Sequence, residues 1–164
     1  MNTRKEGSLD NPTSDQAPVQ MISVQQVLQI RTQSKLYAID LSFVECVLPL
    51  MELHHTSDNA PYSIGFIDYR GKNLTVIDLG LWLGFKAKQT YNLDSPIIIC
   101  GDGQAQVAFV VSEVMQVEMI KPEIIQTQDL LKEVNAPYKA SLNLSSGEVL
   151  LLDIQSFIDI TAQI

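Results

Sequence analysis

Three aspartates, Asp40, Asp78 and Asp153, each stand after an apolar pair at the end of an apolar run. Two such carboxylates sharing one proton make a general acid–base dyad. A carboxylate at the point where a strand leaves its sheet also accepts backbone N–H groups at the start of a helix or turn. Recurrence of the aspartate at matched positions favours capping. His54 and His55 are the only histidines, with Asp58 nearby. Adjacent residues on an extended segment point to opposite faces and a metal needs a third ligand, so the pair reads as a loop or an interface edge. Cys46 and Cys100 sit within apolar stretches and read as packing thiols in a reducing compartment. Gly101-Asp102-Gly103, between Ile99 and Gln106, reads as a hairpin turn rather than an anion nest. Phosphate-loop, dinucleotide, nucleophile-elbow and zinc-protease motifs do not occur. No catalytic residue, metal ligand or cofactor is expected.

Arg70 is the residue of greatest interest. It is one of two arginines beyond position 4 and opens the turn Arg70-Gly71 between two apolar strands, where the backbone would present its guanidinium fork in a fixed direction. An ordinary exposed turn arginine is the competing reading. The apolar stretch Val44 to Met51 is either core or an exposed edge suited to strand addition or helix docking, and periodicity does not separate the two.

These residues must be positioned by a chain of 164 residues, 46% hydrophobic and 18% charged. That is too apolar for disorder and long enough for a core of its own, and no apolar run reaches the roughly 18 residues of a membrane span. A net charge of −8 opposes binding to nucleic acid or anionic lipid. Arg4 and Lys5 are followed by no apolar stretch of secretory type, so the expected location is the cytoplasm. Residues 1–20, with Pro12, Pro18 and few apolar groups, predict a disordered tail.

From Val24 onward, short apolar runs alternate with polar turns. They predict ten strands: Val27 to Arg31, Leu36 to Leu41, Phe43 to Leu48, Gly65 to Tyr69, Leu74 to Leu79, Pro96 to Cys100, Gln106 to Val111, Val114 to Ile120, Ala140 to Leu144 and Val149 to Ile154. Short helices are expected at Leu79 to Gly84 (capped by Asp78), near Glu123 to Ile125, and at Gln155 to Ile164. The fold class is therefore mainly β.

A weak internal repeat bears on the architecture. Ala38-Ile39-Asp40-Leu41-Ser42-Phe43-Val44 is echoed about 70 residues later by Ala108-Phe109-Val110-Val111-Ser112-Glu113-Val114. Leu74-Thr75-Val76-Ile77-Asp78-Leu79 is echoed by Val149-Leu150-Leu151-Leu152-Asp153-Ile154 at an offset of about 75. Two similar five-stranded barrels follow, making up residues 21–164 with a boundary near 90–95. Residues 21–93 hold six acidic and six basic groups, and residues 94–164 hold ten acidic and three basic ones. The two units therefore suit different partners.

The segment Ile64-Gly65-Phe66-Ile67-Asp68-Tyr69-Arg70-Gly71-Lys72-Asn73-Leu74-Thr75-Val76-Ile77-Asp78-Leu79 resembles the most recognisable stretch of the CheW-like family. Leu36 to Glu45, Val107 to Val117 and Gly147 to Ile154 support the likeness in order and spacing. The resemblance implies two SH3-like five-stranded β-barrel subdomains around a shared core. It also implies a non-enzymatic adaptor that couples the cytoplasmic tips of methyl-accepting chemoreceptors to the regulatory domain of a chemotaxis histidine kinase in a membrane-associated array. On that basis Val44, Gly65 and Arg70 are candidate receptor contacts. Val47, Leu48, Leu50 and Leu53 are candidate kinase contacts.

The sequence departs from the family pattern at Asp68-Tyr69, where Asn-Leu is usual before the arginine, and at Cys46, where an acidic residue is common. Tyr138 to Leu142 also lacks a glycine often found before the last hairpin. Control of pili or second-messenger output is thus as open as flagellar chemotaxis. A small-ligand-binding β-barrel is the alternative from a different class, and it would need a pocket with convergent polar groups.

Overall fold

Eleven strands and two short helices make up the computed structural model, which describes residues 24–55, 61–87, 90–121, 125–126 and 136–161. The tail expected over residues 1–20 lies outside them. In chain order the elements are β1 (Gln26–Thr32), β2 (Lys35–Asp40), a single 3-10 turn (Leu41–Phe43), β3 (Val44–Pro49), β4 (Ser63–Tyr69), β5 (Lys72–Asp78) and α1 (Leu79–Trp82). There follow β6 (Pro96–Gly101), β7 (Gln106–Val110), β8 (Glu113–Met119), β9 (Ile125–Gln126), β10 (Tyr138–Leu144), β11 (Gly147–Leu152) and α2 (Ile154–Thr161). All ten expected strands are present. The helix expected near Glu123 to Ile125 is replaced, at Ile125, by strand: Ile125 pairs with Leu142 on the open edge of β10. Residues 122–124 lie outside the described set.

The strands form two sheets of one plan. One has the order β8-β1-β2-β11-β10-β9 and the other β3-β6-β7-β5-β4. Apart from the two-residue β9, the sheets correspond strand for strand: β1 with β6, β2 with β7, β3 with β8, β4 with β10 and β5 with β11. Each contains one parallel pairing, Leu150↔Tyr37 and Leu151↔Ala38 in the first, Val76↔Ala108 and Ile77↔Phe109 in the second. The repeat is thus real, but its units do not each close on themselves. β1 and β2 join the C-terminal hairpin, while β6 and β7 join β3, β4 and β5. Strands on both sides of residues 90–95 therefore share a sheet, and the chain crosses between sheets at Leu41–Phe43 and around Val111 and Ser112, the two stretches that echo each other in sequence.

Core packing explains this exchange. β6 sends Ile97 and Ile99 into the interior of its own sheet and Ile98 and Cys100 into a cluster between the sheets. β1 does the same, with Val27 inside its sheet and Leu28 and Ile30 in the shared cluster. Strands covered on both faces read as continuous apolar runs instead of alternating ones. The shared cluster draws on β1, β2, β5, β6, β7, β11 and both helices. Phe157 of α2 stands at its centre, 4.3 Å from the Trp82 ring, 4.8 Å from Phe109 and 6.0 Å from Tyr62.

Among the described residues neither sheet closes by a backbone ladder. One backbone bridge, His54 with Phe66, ties the segment after β3 to β4, and side chains span the remaining gaps. In the five-stranded sheet the Tyr69 hydroxyl meets Cys46 Sγ at 3.3 Å, joining the β4–β5 hairpin to β3. In the other, the tip of the β10–β11 hairpin reaches β8 and β1: Ser145 Oγ donates to Glu118 at 3.0 Å and Ser146 Oγ to the buried Gln29 at 2.9 Å. These contacts give the sheets their SH3-like form.

Candidate functional site

The aspartates are occupied locally. Asp40 Oδ1 accepts the Ser42 amide at 2.9 Å, Asp78 Oδ1 the Leu81 amide at 3.0 Å, and Asp153 Oδ1 the Ser156 amide at 3.1 Å. Each caps the turn or helix that follows its strand, satisfying a donor the helix itself leaves unpaired. Cys100 is buried, and burial first, with Glu45 and Cys46 adding to it, pushes its thiol up to about 12. It stays protonated and serves packing. His54 pairs its backbone with Phe66, and its ring lies 5.2 Å from the Phe66 ring. Among the described residues no group of three or more His, Cys, Asp or Glu is placed to hold a metal ion. A cleft of about 380 Å³ borders Gln25, Gln26, Asp40, Leu41 and Ser42, where the inward carboxylate oxygen Oδ1 already serves Ser42.

Asp102 forms a self-contained turn. Its Oδ1 accepts the Gln104 and Ala105 amides, both at 2.9 Å, and its Oδ2 accepts Gln155 of α2 at 3.1 Å. The Ala105 amide, then the Gln155 side chain and the Gln104 amide, lower its pKa to about 2 from the ordinary 3.8. With the folded value below the unfolded one, this stabilisation is complete above the unfolded pKa and disappears as pH falls through the folded one. Melting temperature should therefore fall between pH 4 and pH 2, and less steeply in Asp102→Asn. Equal slopes for the two proteins would show that the turn contributes nothing to acid sensitivity.

Arg70 stands exposed at the tip of the β4–β5 hairpin, where Tyr69 pairs with Lys72. Its φ is +53° and that of Gly71 is +76°. Two positive values in succession are the pattern of a type I′ turn, which matches the twist of the flanking strands and prefers Asn-Gly. Arginine is costly there, because its Cβ crowds the backbone in the left-handed region. Asp68 Oδ1 accepts the Gly71 amide at 3.1 Å and holds the turn. The guanidinium carbon lies 5.1 Å from the Tyr69 ring centre. Among the described residues no carboxylate lies within ion-pair distance of Arg70.

Gly65 is buried in β4 at φ +138°, and a Cβ there would meet the His54 carbonyl oxygen at 2.6 Å. That carbonyl accepts the Phe66 amide at 2.9 Å, fastening His54 to the outer edge of β4. The glycine permits this close approach. Gly65→Ala should cost about 1–3 kcal/mol by strain and loss of the bridge. Thermal melting checks this, and an unchanged melting temperature would mean that the bridge contributes little.

The other expected contacts are distributed unevenly. Val44 opens edge strand β3 and packs, partly buried, against the shared cluster. Val47 is 41% exposed, Leu48 and Leu53 are half-buried against the interior of the five-stranded sheet, and Leu50 is core at 6%. Of the four candidate kinase contacts, Val47 presents the most surface and Leu50 acts from beneath. Sequence reasoning missed the outer row of β8, where Val117 is 49% and Met119 73% exposed. Both lie on the side of β8 that faces the shared cluster through Val114, so edge strands β3 and β8 each carry apolar side chains on their cluster-facing side. Their alternation in Val114 to Ile120 marks a strand, but not which face stays open.

Two strand-exchanged β-sheets with apolar side chains open on edge strands β3 and β8, and an arginine held on a strained turn, suit a scaffold of the protein-binding kind. The chain belongs to the CheW-like domain family, whose pattern matches residues 26–161. Among solved structures it is similar to the scaffolding protein TtCheW from Thermoanaerobacter tengcongensis, with a TM-score of 0.69 and 21% identity, covering 79% of this chain and 88% of that one. No curated protein matches it significantly. The resemblance, the mainly β class and the SH3-like plan read from the sequence therefore stand.

Proposed function

We propose that this chain is a non-enzymatic adaptor that couples chemoreceptor tips to the regulatory domain of a chemotaxis-type histidine kinase. The single observation that carries the reading is Arg70: an exposed arginine kept at a left-handed turn position where asparagine or glycine would cost less, with its donors unpaired by any described carboxylate. Family membership supplies the class of scaffold. The receptor tip, a helical hairpin, lays its apolar face against the open apolar side chains of β8 and Val44 of β3, and Arg70 fixes its register by hydrogen bonds to carbonyl or carboxylate oxygens. Gly65 acts by letting the His54 backbone come against β4. The kinase docks on edge strand β3 through Val47, with Leu48, Leu50 and Leu53 on the interior side of the sheet as support.

No helix of the described residues is long and apolar enough to cross a membrane. The adaptor works in the cytoplasm and reaches the membrane through the receptors, without inserting itself and without nucleic acid. The test is co-sedimentation of the purified protein with receptor-containing membranes, with and without the kinase from the same cell. Ternary pelleting is expected. Failure of the protein to pellet with any resident receptor or kinase would overturn the reading.

A further inference from the structure

We infer that Tyr69 is a positioning residue for Arg70 and that Cys46 anchors it. This deepens the proposed receptor contact and rests on it. Four contacts form a chain from the barrel interior to the guanidinium. Tyr69 is 9% exposed and packs into the core of the five-stranded sheet with Ile67, Leu74 and Val76, so its ring cannot swing. Its hydroxyl meets Cys46 Sγ at 3.3 Å on edge strand β3. The Arg70 guanidinium carbon lies over the face of the same ring, 5.1 Å from its centre. The backbone below is held by the Asp68 carboxylate on the Gly71 amide at 3.1 Å.

A leucine in place of Tyr69 would fill the core but leave the arginine free to sample its rotamers. The ring removes that freedom before binding and offers a cation–π contact that leaves the in-plane N–H donors free. Cys46 matters because β3 is an edge strand bonded on one side only, to β6. The thiol–hydroxyl contact registers β3, with Val44 near its start, against the hairpin that carries Arg70. The partner chemistry this favours is an oxygen acceptor presented flat against the fork, a helix-terminal carbonyl or a carboxylate.

The experiment uses the full chain as wild type, Tyr69→Leu, Tyr69→Phe, Cys46→Ala and Arg70→Ala, with two readouts. The first is the NMR shift of the Arg70 Hδ and Nε–Hε protons, which the Tyr69 ring current moves upfield. The second is co-sedimentation with receptor-containing membranes. Tyr69→Leu should lose the upfield shift and pellet about two- to fivefold more weakly. Tyr69→Phe should retain the shift, and Cys46→Ala should reduce it. A wild-type protein without the ring-current shift overturns the inference with no variant needed, whether or not Tyr69→Leu folds. Unchanged pelleting of Tyr69→Leu, with Arg70→Ala unable to pellet, overturns the positioning role and leaves the receptor reading standing. Normal pelleting of Arg70→Ala overturns the receptor reading instead, and the shift still decides whether Tyr69 orients Arg70.

Discussion

Arg70→Ala should lose at least about 30-fold in affinity for receptor-containing membranes while its melting temperature stays close to that of the wild type. The size of the loss is that of a central arginine anchor, about 2 kcal/mol or more. The unchanged stability follows from its surroundings. Arg70 is exposed, lies outside the three apolar clusters, and among the described residues forms no ion pair. Surface substitutions of this kind fall within about ±0.5 kcal/mol. A companion variant separates backbone from side chain. Arg70→Asn suits the left-handed position better, so it should gain about 0.5–1 kcal/mol, or roughly 1–4 °C, and still fail to bind. A variant more stable than the wild type yet unable to bind would identify the arginine as retained for recognition. A fall in stability as large as the fall in affinity, in either variant, would make Arg70 a structural residue and remove the receptor assignment.

The second large effect belongs to Phe157. Its side chain is fully buried and touches the rings of Trp82, Phe109 and Tyr62. These come from α1, β7 and the segment before β4, all attached to the five-stranded sheet, whereas α2 continues from β11 of the other sheet. Phe157→Ala should therefore cost about 3–5 kcal/mol, enough to lower the melting temperature by about 10 °C, through lost burial and a cavity that neighbours on two sheets cannot close. Calorimetry should show one transition for wild type and variant alike, because the strand exchange leaves neither sheet with a complete sequence unit of its own. Two separated transitions, or a loss below about 1 kcal/mol, would show that the sheets are stable independently and that the shared cluster is dispensable.

Local features were legible in the sequence because they depend on neighbours a few residues away. Each of the ten strands follows from an apolar run bounded by polar turns. The caps at Asp40, Asp78 and Asp153 follow from a short acceptor placed just beyond a strand. The Arg70-Gly71 turn follows from two strands separated by two residues. Boundaries moved by a residue or two, and α2 is described over Ile154–Thr161, the expected end at Ile164 lying outside the described residues. Gly65 stands out in the sequence only through the family resemblance. The reason for the glycine, the His54 carbonyl pressed against it, lies eleven residues upstream and has no local signal.

The β class, the twofold repeat and the presence of an arginine on a hairpin tip all follow from residues close together in the chain. The tertiary structure alone decided which strands share a sheet, which faces stay open and what orients the arginine. β2 pairs with β11 across more than a hundred residues, and a run such as Pro96 to Cys100, apolar on both faces, is compatible with many partners. Burying the most apolar surface between the two sheets selects one pairing, and that selection is a property of the whole chain. The same packing turns Val27 inward and leaves Val117 and Met119 outside, although all three occupy strands of similar composition. It also brings Cys46 to Tyr69, so that the side chain under Arg70 is held from a strand that local sequence does not connect to it.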